Sequence, residues 1–270
     1  MGWLASLGRP VRRIASRRVT FLPASLTRRY PTSDRTCHGM IAISEFVRRL
    51  LVNSGVPESK LVVIPDGIEL PAELPRAELR SRARAQWGLG EQEFVVGHVG
   101  AFTPEKGQDI AVEAGIILAE RFPLARLLLV GDGPTRELPR MKERIARAKG
   151  CIRLLGALED LSEFFAALDL FVMPSRSEGL GSSALLAMAH GLAVAASRVG
   201  GLPEIVEEAK TGWLIPPDSP AALAKAIVTA ASDRVPLRQL AANARERARQ
   251  FSSDIMVERT EDFYYRLLDN

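Results

Sequence analysis

Cysteine is scarce: Cys37 and Cys151 stand far apart in 270 residues, without ligand-like neighbours. That scarcity argues against a disulfide scaffold and a zinc site, and reduced thiols in the cytoplasm are the simple reading. Apolar runs are no longer than a strand, so no segment can span a bilayer as a helix. Met1 to Arg13 lacks the continuous apolar block of a secretory signal. Three histidines are present, His38, His98 and His190; none has neighbours that suggest a relay, and no serine–histidine–acid or metal-ligand set emerges. His98, inside an apolar strand, reads as a core or rim histidine. Internal repeats and low-complexity segments are also missing.

Acidic residues are absent from the first 30 positions, which carry Arg9, Arg12, Arg13, Arg17, Arg18, Arg28 and Arg29 among Trp3, Leu4, Val11, Ile14, Phe21 and Leu22. Three readings stand for this front: the remnant of a strand and loop from a larger domain, a short amphipathic contact with an anionic membrane surface, or a solvated tail. Over the whole chain, lysine and arginine exceed aspartate and glutamate by only 36 to 32. That excess is too small to imply a nucleic-acid partner.

What remains is ordinary for a soluble globular chain, 47% apolar and 25% charged. Met40–Ser44 reads as a short buried strand, Glu45–Asn53 as an amphipathic helix stopped by Ser54-Gly55, and Leu61–Ile64 as a strand closed by Pro65-Asp66-Gly67. Residues 69–84, with prolines and alternating charges, predict a linker and a solvent-washed helix start. From Phe94 onward the rhythm becomes regular. Strands are expected at Phe94–Gly100, Arg126–Val130, Ile152–Leu155, Leu170–Met173, Ala193–Ala196 and Gly212–Ile215. Helices fall between them at Gly107–Arg121, Pro134–Ala148, Asp160–Ala167, Gly181–His190 and Pro203–Glu208. Three more helices follow, Pro220–Ala231, Leu237–Gln250 and Ser253–Leu268. Buried strands alternating with helices predict an α/β class, a doubly wound parallel sheet covered on both faces.

In such a sheet ligands lie beyond the carboxyl ends of the strands. Four loops reach that edge. Gly100 to Gly107 carries Thr103 and Lys106 at a helix start, where a lysine beside unpaired amides suits a pyrophosphate, although surface lysines at helix starts are common. Gly131-Asp132-Gly133-Pro134 is either a tight structural turn or a ligand contact. Gly156 to Glu159 singles out no residue. Pro174 to Ser183 places Glu178 between small residues, with Gly179, Leu180, Gly181 and Ser182 offering backbone amides to phosphate. Glu178 then either accepts hydrogen bonds from sugar hydroxyls or favours the following helix electrostatically. Glu204, after Gly200-Gly201-Leu202-Pro203, reads as a helix-start acid.

Taken in order, Ile41-Ala42-Ile43-Ser44-Glu45, Val63-Ile64-Pro65-Asp66-Gly67-Ile68, Thr103-Pro104-Glu105-Lys106-Gly107, Gly131-Asp132-Gly133-Pro134, Glu178-Gly179-Leu180-Gly181 and Gly200-Gly201-Leu202-Pro203-Glu204-Ile205-Val206 form a pattern. It resembles the retaining GT-B glycosyltransferases (glycosyl transferases group 1, family 4), which include sucrose synthases and many lipopolysaccharide and mannosyl transferases. The resemblance implies a Rossmann-like donor domain at 94–250, preceded by a remnant of an acceptor domain at 1–70 and a linker at 71–93. It also implies a last helix, 251–270, that crosses back to the front. By it, Lys106 and Glu178 would be catalytic, Lys106 holding the donor diphosphate and Glu178 the transferred sugar. Gly100, Thr103, Gly131, Gly133, Gly179, Leu180, Gly181 and Ser182 would complete the donor site.

The resemblance further implies no metal and no cofactor beyond the nucleoside-diphosphate sugar, and a glycan or lipid-linked acceptor in polysaccharide or lipopolysaccharide synthesis. The expected location is the cytoplasm, with peripheral association at the inner membrane face as an option that the basic front leaves open. The alternative is an inactive truncated homologue that binds a nucleotide or sugar. Three departures mark this chain. Leu186 stands where the family has a second, ribose-binding glutamate, Ala101 where an arginine is common, and the segment ahead of Ile41 is far shorter than an acceptor domain.

Overall fold

The computed structural model describes residues 11–20, 37–71, 76–133 and 137–269. The readings placed on Trp3, Leu4, Arg9, Phe21, Leu22, Arg28, Arg29 and Pro134 lie outside these residues. Strands β1 (Ile14–Arg17), β2 (Gly39–Ala42) and β3 (Leu61–Val63) form a small parallel sheet in that order. Ile14–Arg17 pairs in register with Gly39–Ala42, and Arg18 leaves the sheet to bond Asp66 at 2.6 Å. Helix α1 (Glu45–Asn53) follows β2; Ser44 is withdrawn from the strand to accept from Val47 N at 3.1 Å, and Val47 and Leu51 turn inward.

Helix α2 (Arg76–Gln86) forms where the sequence predicts a solvent-washed helix start, but one side of it is not solvent-washed. Ala83 and Arg84 are buried, and Arg80 and Arg84 bond the two carboxylate oxygens of Asp169 at 2.7 and 2.9 Å. Alternating charges resemble a solvated surface in sequence, but two of them, Arg80 and Arg84, face one buried acid while Arg82 stays exposed. Burial lowers the Arg84 pKa first; Asp169 opposes that effect, and the neighbouring Arg80 reinforces it.

The second sheet contains β4 (Phe94–Val99), β5 (Ala125–Val130), β6 (Ile152–Gly156), β7 (Leu170–Met173), β8 (Ala193–Ser197) and β9 (Gly212–Ile215), ordered β6-β5-β4-β7-β8-β9 and parallel throughout. Residues alternate between two cores. Phe94, Val96, Leu127, Leu129, Leu170 and Val172 enter one, while Val95, Leu128, Val130, Phe171 and Met173 enter the other. That is why these strands read as continuous apolar runs. The helices are α3 (Gln108–Arg121), α4 (Glu137–Ala146), α5 (Ser162–Ala167), α6 (Ser182–Ala189), α7 (Leu202–Ile205), α8 (Pro220–Ser232), α9 (Arg234–Arg249) and α10 (Ser253–Leu268). Helix α9 begins earlier than its apolar spacing suggests because Asp233 accepts from Val235 N. Pro236 falls in the first turn, where a missing N–H costs little.

Helix α10 packs on the small sheet. Phe263 joins Ile41 and Ile64 in a third core, and Gly39 admits it, since a Cβ there would lie 2.6 Å from Phe263 Cζ. Ile68 N donates to Phe251 O at 2.9 Å, and Ser253 N to Ile68 O at 3.0 Å. No described helix is long and apolar enough to cross a membrane.

Candidate functional site

The strand order runs outward from β4 in one direction and from β7 in the other, so the crevice between their carboxyl ends is the switch point of the sheet. The loops after β4 and β7 meet there. Gly107 has a φ of 68°, and a Cβ on it would lie 2.1 Å from Pro174 O. Only glycine allows this contact between the two loops.

Arg176 locks the same loops together. Its guanidinium donates to both oxygens of Asp109 at 2.8 and 2.7 Å, to Asp218 at 2.6 Å and to Pro104 O at 2.7 Å. Its own N–H reaches Glu105 O at 2.7 Å. Burial works against the Asp109 carboxylate, but the bonds and charge of Arg176, together with backbone N–H groups of Ile110 and Asp109, offset it and leave the Asp109 pKa below its usual value. No local sequence signal marks Arg176, because its partners lie far along the chain.

With the loops fixed, Lys106 Nζ lies 2.7 Å from Glu178 Oε2. Both border a cleft of about 730 Å³, whose lining includes Arg18, Thr20, Phe46 and Ser177. Thr20 Oγ1 and Ser177 Oγ are 2.7 Å apart, so the front segment closes one side of the cleft.

The other expected residues divide into groups. Gly179 lines the cleft, and its carbonyl accepts from Ser44 Oγ at 2.7 Å. Leu180 is buried in the core, leaving only its backbone for a ligand. Gly181, with φ 106°, precedes α6, which has no side-chain cap, and Ser182 is exposed at its first position. The first amides of α6 are thus available to an anion. Gly131 and Gly133 serve packing: a Cβ would lie 2.0 Å from Gly100 O in one case and 2.5 Å from Phe102 Cβ in the other. Gly100 is part of that contact. Thr103 lines a separate cavity of about 550 Å³ with Phe102, Met141 and Arg144. Leu186, one turn beyond Ser182, is half-buried against the core and cannot accept a hydrogen bond.

Three further side chains bear on the site. His98 is fully buried, with Nδ1 3.0 Å from Val172 O and no hydrogen-bond partner at Nε2. Burial first, with Lys106 adding to it, pushes its pKa down to about 4. Ser175, also buried, has no hydrogen-bond partner at Oγ. Glu204 starts its own short helix as expected, but its carboxylate accepts from Glu45 N and Phe46 N, both at 2.8 Å, in the front unit.

Residues 93–233 match the family described as Glycosyl transferases group 1. The chain belongs to this family. It is 34% identical over 182 residues to the GDP-mannose-dependent alpha-(1-6)-phosphatidylinositol monomannoside mannosyltransferase of Mycolicibacterium smegmatis, covering 64% of this chain and 47% of that one. It is also 34% identical over 222 residues to the D-inositol 3-phosphate glycosyltransferase of Geodermatophilus obscurus, covering 78% and 48%. The chain thus spans about half the length of these curated relatives. Among solved structures, Anabaena HepE in complex with UDP has a TM-score of 0.88 at 25% identity, covering 98% of this chain and 75% of that one. A Rickettsia africae glycosyltransferase, at TM-score 0.89 and 24% identity, shares the GT-B fold over 100% and 74%.

Proposed function

We propose that this chain forms the donor half of a retaining glycosyltransferase, which moves a sugar from a nucleoside-diphosphate sugar to a glycan or lipid-linked acceptor. The observation that carries the reading is the Lys106–Glu178 pair at the β4–β7 switch point. Lys106 and the first amides of α6 are suited to the diphosphate, and their positive charge favours its departure as the glycosidic bond breaks. Glu178 accepts from hydroxyls of the transferred sugar, fixing its orientation. No metal is required by this reading, because the cation and the helix dipole supply the positive field.

Family relatives support the substrate class. HepE has been solved with UDP and with UDP-glucose, and one relative is named for GDP-mannose and a phosphatidylinositol mannoside. A lipid-linked acceptor would place the protein at the cytoplasmic face of a membrane, where the exposed Arg12 would favour anionic headgroups. Leu186 implies that ribose is recognised by a group other than a carboxylate at that position.

The test is turnover of UDP-glucose and GDP-mannose by the purified chain, with nucleotide release measured alongside calorimetric binding. Glu178→Ala should abolish release and leave the fold intact. Binding without turnover would restrict the protein to a binding role, and no binding of any nucleoside-diphosphate sugar would end the donor-site reading.

A further inference from the structure

We infer that Glu204 is a positioning residue whose carboxylate latches the front unit onto the Glu178 loop, so that the placement of Glu178 and the docking of α1 depend on one contact. The inference rests on the donor-site reading for its consequence in turnover, while the latch itself is independent of that reading.

Helix α1 begins with three amides that no intrahelical acceptor can satisfy. Ser44 Oγ takes Val47 N at 3.1 Å. Val47 at the third helical position offers no acceptor, and even a capping-box glutamate there would bond the Ser44 amide and leave Glu45 N and Phe46 N unpaired. The two remaining donors, Glu45 N and Phe46 N, go to Glu204 Oε2 and Oε1 at 2.8 Å each. A carboxylate from another unit thus supplies what the local sequence lacks, and its charge also suits a helix N-terminus.

Both ends of this contact lead to Glu178. On one side, Ser44 Oγ donates to Gly179 O at 2.7 Å. On the other, Glu204 follows Gly201, whose N–H donates to Glu178 O at 3.2 Å. Gly200 lies so close that a Cβ would sit 1.8 Å from Glu178 O. Arg247 holds α7 from behind, donating to Glu204 O at 2.8 Å. The peptide bearing Glu178 is therefore held between the segment that carries Glu204 and the cap of the helix that Glu204 binds. Glu204 does not line the cleft, so its effect on substrate passes through residues that do, Glu178 and Phe46.

Hydrogen exchange of the 270-residue chain tests the latch, comparing wild type with Glu204→Ala and Glu204→Gln. Glu204→Ala should raise exchange at Glu45 and Phe46 at least about fivefold, as loss of a helix cap does, and should also raise it over residues 178–182. Strands β5 and β6 should be unchanged. Glu204→Gln, which keeps one good acceptor, should fall between. In turnover, Glu204→Ala should lower kcat about tenfold or more and raise the KM for the sugar nucleotide, while binding of free UDP, which does not use Glu178, stays within about twofold. Unchanged exchange at Glu45 and Phe46 in both variants would overturn the latch. Faster exchange there, with residues 178–182 and kcat unaffected, would reduce Glu204 to a cap and overturn the positioning role. A wild type without turnover would count against the proposed function, leaving the exchange at residues 45–46 and 178–182 to decide the latch.

Discussion

Lys106 Nζ and Glu178 Oε2 lie 2.7 Å apart, with the lysine side chain 29% exposed and the glutamate 11% exposed. They come from different loops, held in register by Gly107 and Arg176. A diphosphate arriving at Lys106 competes with Glu178 for the same ammonium, and a sugar hydroxyl arriving at Glu178 competes with Lys106. On the proposed reading, the two halves of a donor would be read by groups that neutralise one another in this structure.

Lys106→Ala should weaken nucleoside-diphosphate binding about 10- to 100-fold, the range for loss of a charged hydrogen bond. Glu178→Gln should do the opposite for the free nucleotide, keeping or tightening its binding because Lys106 is released. It should still weaken binding of the intact sugar nucleotide. Calorimetry with UDP and UDP-glucose separates the two effects; equal losses for both ligands in Glu178→Gln would contradict the division of roles.

Gly200→Ala is expected to reduce both stability and turnover. The backbone at Gly200 has a φ of 57°, and the added methyl would strike Glu178 O. Overpacking and strain together should cost about 2 kcal/mol or more, measurable by urea denaturation. Gly55→Ala, also at positive φ but with nothing within 4 Å of the added carbon, should lose stability from strain alone and keep its activity.

Asp169 holds Arg80, Arg84 and Arg234 at 2.7, 2.9 and 2.6 Å and also accepts from Val95 N at 2.8 Å. Removing it leaves the buried Arg84 guanidinium without its counter-charge. Asp169→Ala should destabilise the chain by about 3–5 kcal/mol in chemical denaturation. Asp169→Ala combined with Arg84→Leu should recover part of that loss, since the uncompensated charge is gone. No recovery would mean that the bonds to backbone, Val95 N at Asp169 and the carbonyls of Ala167, Gly90 and Glu93 at Arg84, outweigh the uncompensated charge.

His98 should make the fold acid-sensitive. Its pKa in the folded chain is about 4, against an ordinary 6.5, so the unfolded chain binds more protons between those values. Its neutral form supports the fold fully above pH 6.5, and that support is lost as pH falls through the window towards 4. The total is about 3 kcal/mol at most. His98→Asn should flatten the stability profile between pH 6.5 and 4; an unchanged slope would show that His98 titrates normally. Asp109, with its pKa below the usual carboxylate value, loses its contribution at lower pH than an ordinary carboxylate.

Period and turn chemistry by themselves determined much of this protein. Buried parallel strands must be apolar on both faces, so Phe94–Val99 and Leu170–Met173 stand out from any single stretch of chain. The loops that carry Lys106 and Glu178 follow from the same alternation. What sequence order conceals is contact between distant segments. Arg80 and Arg84 look solvated until Asp169 is set beneath them, and Arg176 looks like a loop residue until Asp109 and Asp218 converge on it. Glu204 looks like the start of its own helix until α1 is packed beside it. In each case a charged group acquires its role from a partner many residues away, and only tertiary packing brings that partner within hydrogen-bond reach.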